Sequence, residues 1–115
     1  MTANLKKVLI VEDNSNDLEL TLEALEEYHM ANAVDVTRDG AEALDYLYCR
    51  GAFADRVPIN PAVILLDLKL PKVDGLEVLR AIRSDPALKL IPVVVLTSSR
   101  EERDLVTSYQ LGVNA

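Results

Sequence analysis

Basic side chains are scarce in this sequence: 12 Lys and Arg stand against 19 Asp and Glu, which leaves a formal charge of −7. Nucleic acids and anionic membranes both require a basic footprint, so neither suits this surface, whereas a cation or a basic protein face does. Cysteine is nearly absent as well. Cys49 is the single one, which excludes an internal disulfide and a thiolate metal cluster. It reads as a small side chain near a helix end. No apolar run approaches the roughly 20 residues needed to cross a bilayer. The opening Met1-Thr2-Ala3-Asn4-Leu5-Lys6-Lys7 is followed by too short an apolar stretch for a signal peptide. The sequence therefore predicts a cytoplasmic protein.

What is present is enough for one core. Half of the 115 residues are hydrophobic, which suits a single domain over residues 1–115. Four short apolar runs stand out: Val8-Leu9-Ile10-Val11, Ala33-Val34-Asp35-Val36, Val63-Ile64-Leu65-Leu66 and Val93-Val94-Val95-Leu96. The first, third and fourth are continuous, as expected of strands covered on both faces. Segments with helical spacing lie between and after them. Leu18, Leu22 and Leu25 mark one, with Asn14 or Ser15 placed to cap its start. Ala43, Leu44, Leu47 and Tyr48 mark a second, Val78, Leu79 and Ile82 a third, and Leu105, Val106 and Tyr109 a fourth, which Gly112 can close. Strand and helix alternating in this way give parallel strands joined by right-handed crossovers, an open α/β sheet with helices on both faces. Residues 49–61 carry Gly51, Pro58, Asn60 and Pro61 and form an unusually long connection, either a binding loop or a surface insertion.

In such a sheet, ligands sit beyond the carboxyl ends of the strands, where neighbouring connections leave in opposite directions. The first run ends in Glu12-Asp13, the third in Asp67 and the fourth in Thr97-Ser98-Ser99. If the first and third strands are neighbours, three carboxylates converge, each ionised pair repelling by about 3 kcal/mol at ~5 Å and an effective dielectric near ~20. Protonation or a hard divalent cation offsets this, and an all-oxygen set with room for water and phosphate oxygens suits Mg²⁺. A carboxylate beside such an ion can take a phosphoryl group as an acyl phosphate. Asp67 closes the middle strand and is the natural nucleophile, Glu12 and Asp13 hold the ion, and the Thr97 hydroxyl can bond a phosphoryl oxygen.

The sequence resembles the receiver domains of two-component response regulators along almost its whole length. The matching pieces are Val8-Leu9-Ile10-Val11-Glu12-Asp13-Asn14, Asp39-Gly40-Ala41-Glu42-Ala43-Leu44, Ile64-Leu65-Leu66-Asp67-Leu68-Lys69-Leu70-Pro71, Asp74-Gly75 and Pro92-Val93-Val94-Val95-Leu96-Thr97. The resemblance implies a flavodoxin-like doubly wound sheet of strand order 2-1-3-4(-5). It also implies that Asp67 is phosphorylated by a partner histidine kinase. Mg²⁺ would be bound by Glu12, Asp13, Asp67 and the backbone carbonyl of Lys69, and Thr97 would be the switch hydroxyl. A domain of this kind catalyses only its own phosphorylation and dephosphorylation. Residues 49–61, together with Leu111-Gly112-Val113-Asn114-Ala115, look like the small single-domain regulators that serve bacterial phytochromes. Receivers carry a fifth strand and helix, with an aromatic switch residue and an invariant lysine, beyond the position of Ala115. The expectation is thus a C-terminally incomplete receiver, with an edge at the fourth strand open to association of two copies.

Other readings fare worse. A phosphatase or phosphotransferase acting on small molecules would place a second acid two residues after its nucleophile, where Lys69 stands. A flavin carrier needs a phosphate-cradling loop after the first strand, where Glu12-Asp13 would repel phosphate, and aromatic walls in a chain without tryptophan. A receiver-like scaffold that binds a partner without being phosphorylated leaves the complete acidic set without a use, although the missing lysine keeps that reading open. His29 reads as surface at the end of an acidic helix, Glu26-Glu27 as a solvated face, and Tyr109 as core or half-buried.

Overall fold

The computed structural model describes residues 7–27, 34–67 and 75–96. In chain order the elements are β1 (Val8–Val11), α1 (Ser15–Glu27), β2 (Val34–Thr37), α2 (Gly40–Tyr48), β3 (Val63–Asp67), α3 (Gly75–Ser84) and β4 (Val93–Leu96). A single 3₁₀ turn, Gly51–Phe53, sits in the connection from α2 to β3. The strands form one parallel sheet in the order β2-β1-β3-β4, as the sequence led us to expect. Lys69, Thr97, His29, Tyr109, the fourth helix and the region beyond it lie outside the described residues, as does anything that bears on association through the β4 edge.

The main core occupies one face of the sheet. Leu9 and Val11 of β1, Ile64 and Leu66 of β3, and Val93 and Val95 of β4 point to it, because alternate residues of a strand share a face. They meet Ala43, Tyr46 and Leu47 of α2 and Val78, Leu79 and Ile82 of α3. Right-handed crossovers put α1 on the opposite face. There Ile10 is buried, whereas Val63, Leu65 and Val94 are half-buried, and so are Leu18, Leu22 and Leu25 of α1. Only β1 is covered throughout; β3 alternates between buried and half-buried positions, a correction to the expectation that its continuous run is covered on both faces.

Local chemistry fixes the helix starts. Asn14 caps α1, its side-chain oxygen accepting from the N–H of Asn16 at 2.9 Å and of Asp17 at 3.0 Å. Asp39 caps α2, accepting from the N–H of Glu42 at 2.7 Å. α2 ends at Cys49 in the left-handed region, at φ 54°, followed by Gly51 at φ 58°. A Cβ on Gly51 would stand 3.0 Å from a carboxylate oxygen of Asp45, so both conformation and space favour glycine there. One expectation for α2 needs correcting. Tyr46, not Tyr48, faces the core; Tyr48 is exposed.

The long connection is held at the amino ends of the strands, where the N–H of Ala62 donates to the carbonyl of Lys7 at 2.8 Å. It therefore lies across the sheet from the carboxyl ends. Arg56 organises it, donating to the carbonyls of Tyr46 (2.9 Å), Val57 (3.2 Å) and Ile59 (3.1 Å), with its guanidinium 4.0 Å from the centre of the Tyr46 ring.

Candidate functional site

Strand register builds the site. Val11 of β1 lies opposite Leu66 of β3, so the next residues along the two strands, Glu12 and Asp67, emerge side by side at the carboxyl edge. β1 is also the strand from which the chain turns first to β2 on one side and later, through β3, to the other. The pair thus occupies the crevice that the topology opens.

Glu12 is 3% exposed, an unusual position for a carboxyl group. Its backbone N–H donates to the carbonyl of Thr37 at 3.0 Å, tying it to the end of β2. One of its side-chain oxygens accepts from the N–H of Asn14 at 3.2 Å. The carboxyl also hydrogen-bonds Asp67. A second negative carboxylate so close disfavours ionisation of Glu12. Burial accordingly pushes the Glu12 pKa from 4.5 up to about 7; the bond to Asp67 and the charges of Asp67 and Asp17 push the same way, and the Asn14 N–H pulls against them.

Asp13 is next in the chain but exposed. Its carbonyl accepts from Nη2 of Arg38 at 2.9 Å. Among the described residues, no group of three His, Cys, Asp or Glu side chains is set to hold a metal ion. The structure thus brings together Glu12 and Asp67 and leaves the Asp13 carboxylate outside that pair. Lys69 and Thr97 fall outside the described residues.

The sequence reading passed over the end of β2, where Thr37 is fully buried and Arg38 reaches the β1–α1 connection. The strand-end rule that selected Glu12 and Asp67 would have found both, had it been applied to a strand whose end carries no acid.

Comparison with known proteins bears directly on this arrangement. Residues 8–115 match the response regulator receiver domain family. The response regulator Rcp1 of Synechocystis sp. (strain ATCC 27184 / PCC 6803 / Kazusa) is 44% identical over 109 residues, which cover 95% of this chain and 73% of that protein. The structure of the Mn²⁺-bound form of Rcp1 superposes with a TM-score of 0.81 at 42% identity, over 96% of this chain and 78% of that one. The bacteriophytochrome response regulator RtBRR superposes with a TM-score of 0.91 at 64% identity, over 96% of this chain and 67% of that one. The phosphorylated cyanobacterial phytochrome response regulator RcpA gives a TM-score of 0.82 at 50% identity, over 95% and 76% of the two chains.

Proposed function

The chain belongs to the response regulator receiver family, and from that premise we propose that residues 1–115 act as one receiver domain whose Asp67 accepts a phosphoryl group from a histidine kinase. The observation that carries this reading is the contact between Glu12 and Asp67 at the switch point of the sheet. A buried carboxyl whose ionisation is disfavoured beside a half-buried one is a place where a hard cation offsets the clustered negative charge. The residues fit Mg²⁺ in this sense: Glu12 and Asp67 supply oxygens from adjacent strand ends, with Asp13 following Glu12 and Lys69 two residues after Asp67 in the chain. Bound there, Mg²⁺ would offset the negative charge of the carboxylates and of the phosphoryl oxygens.

The chain's own part is positional. Strand β3 holds Asp67 at its last residue, and Asp67 stays half-buried, so one carboxylate oxygen can meet an incoming phosphorus atom in line. A new Oδ–P bond forms as the N–P bond of a kinase phosphohistidine breaks, and the imidazole nitrogen leaves to take up a proton. Glu12 keeps the second carboxyl fixed through its ties to Thr37 and Asn14. Thr97, which follows Leu96 in the sequence, is the hydroxyl we assign to reading the phosphoryl group and altering partner contacts. The resemblance to RtBRR and RcpA supports a phytochrome as the kinase partner.

Incubation with a small acyl phosphate and Mg²⁺ should label the protein, and hydroxylamine should remove the label because acyl phosphates are cleaved by it while phosphoserine and phosphothreonine esters are not. Asp67→Asn should take up none. Label that persists in Asp67→Asn, or that resists hydroxylamine, contradicts this function.

A further inference from the structure

We infer that Arg38 is a positioning residue for the cation site, a strap from the end of β2 that fixes the direction in which Asp13 presents its carboxylate. The inference rests on the proposed role of Glu12 and Asp13 in holding Mg²⁺ and adds to it a residue that is neither a ligand nor in contact with the phosphoryl acceptor.

The geometry begins at the capped start of α2. Asp39 accepts from the N–H of Glu42 at 2.7 Å, and the Glu42 carboxylate reaches back to accept from the N–H of Arg38 at 2.9 Å. This reciprocal arrangement resembles a capping box shifted by one residue, and it pins the backbone from which the Arg38 side chain departs. From that fixed point Nη2 donates to the carbonyl of Asp13 at 2.9 Å and to the hydroxyl of Ser15 at 3.1 Å. One nitrogen therefore bridges the peptide that follows Asp13 and the first residue of α1. With the bond from the Glu12 N–H to the Thr37 carbonyl, the segment carrying both acids is tied to β2 on two sides.

These Arg38 bonds are exposed to solvent, where each contributes little to global stability. Their effect is local. An orientated Asp13 peptide restricts where the carboxylate can point, which lowers the ordering cost of closing on an ion. Charge acts in the opposite sense, since a guanidinium close to a cation site repels the cation. Removing Arg38 should thus weaken Mg²⁺ binding if the strap dominates and tighten it if charge dominates.

The test is a calorimetric Mg²⁺ titration of the parent, Arg38→Met, Arg38→Lys and Asp13→Ala, with melting of each protein in the absence of metal. Arg38→Met should weaken Mg²⁺ binding about fivefold, the loss of roughly one ordinary hydrogen bond's net contribution. Its metal-free melting midpoint should stay within ~2 °C of the parent, as for a surface substitution. Arg38→Lys, which keeps the charge and can reach one acceptor, should recover part of the loss. Equal or tighter binding by Arg38→Met, with Asp13→Ala still impaired, overturns the role of Arg38 and leaves the ligand assignment intact. A lower melting midpoint with unchanged affinity also overturns it, since that is the signature of a purely structural contact. Undiminished binding by Asp13→Ala removes the ligand assignment and this inference with it.

Discussion

Glu12 makes the site measurable without any phosphodonor. Its folded-state pKa of about 7 lies above the ordinary 4.5, so between those values the folded chain holds a proton that the unfolded chain has lost. Stability from this group is fully present below about pH 4.5 and is lost as pH rises through about 7. The loss is on the order of 3 kcal/mol, at about 1.4 kcal/mol per tenfold change in proton affinity. The metal-free parent should therefore lose stability relative to Glu12→Gln across that window when both are unfolded by denaturant at a series of pH values. Mg²⁺ should raise the parent's melting temperature more at pH 8 than at pH 5, because protons and cation compete for the same oxygens. A parent-minus-variant difference that is flat with pH contradicts the raised Glu12 pKa. Glu12 and Asp67 were legible as converging strand-end acids once β1 and β3 are taken as neighbours. The place of Asp13 outside that pair was not, because no local sequence pattern sets the direction of an exposed side chain just past a strand end.

At the scale of elements, the connection from α2 to β3 is a small structure of its own. Phe53 packs against the main core and Pro61 is buried, but Val57 and Ile59 between them are exposed, so apolar burial contributes little to holding that stretch. Arg56 supplies the hold instead, through three backbone carbonyls and the face of Tyr46. Tyr46 is in turn fixed by donating its hydroxyl to Asp35 at 2.6 Å and by an edge-on contact with Phe53 at 5.3 Å. Arg56→Ala should cost about 1–3 kcal/mol and speed proteolytic cleavage between residues 56 and 60. Phosphoryl uptake should not change, because this loop lies at the amino ends of the strands. Slower uptake in Arg56→Ala would mean that the two ends of the sheet are coupled. The same cluster explains where the reading of α2 failed. Apolar residues at 43, 44, 46, 47 and 48 leave the inward face of a helix ambiguous, and partners from β2 and the loop decide for Tyr46. Caps, by contrast, are local, and Asn14 was among the two residues expected to start α1.

For the molecule as a whole, a parallel sheet was readable from the alternation of strand and helix, whereas its order β2-β1-β3-β4 was implied by the resemblance to receiver domains. Coverage of the two faces was not readable, since continuous apolar runs look alike whether one face or both are fully packed. The main core on the α2–α3 side contains Leu66, wholly buried in β3 one residue before Asp67. Leu66→Ala should cost about 2–5 kcal/mol, a large share of a typical domain stability of about 5–15 kcal/mol, and a denaturant titration should show the midpoint fall accordingly. The central claim, that this framework exists to hold Asp67 as a phosphoryl acceptor, has a direct chemical readout. Borohydride reduces an aspartyl phosphate to homoserine, so the protein treated with an acyl phosphate and Mg²⁺, reduced and then peptide-mapped by mass spectrometry, reports the modified position itself. We expect homoserine at position 67 alone; homoserine at another aspartate, or none despite stable phosphoryl incorporation, would contradict the account.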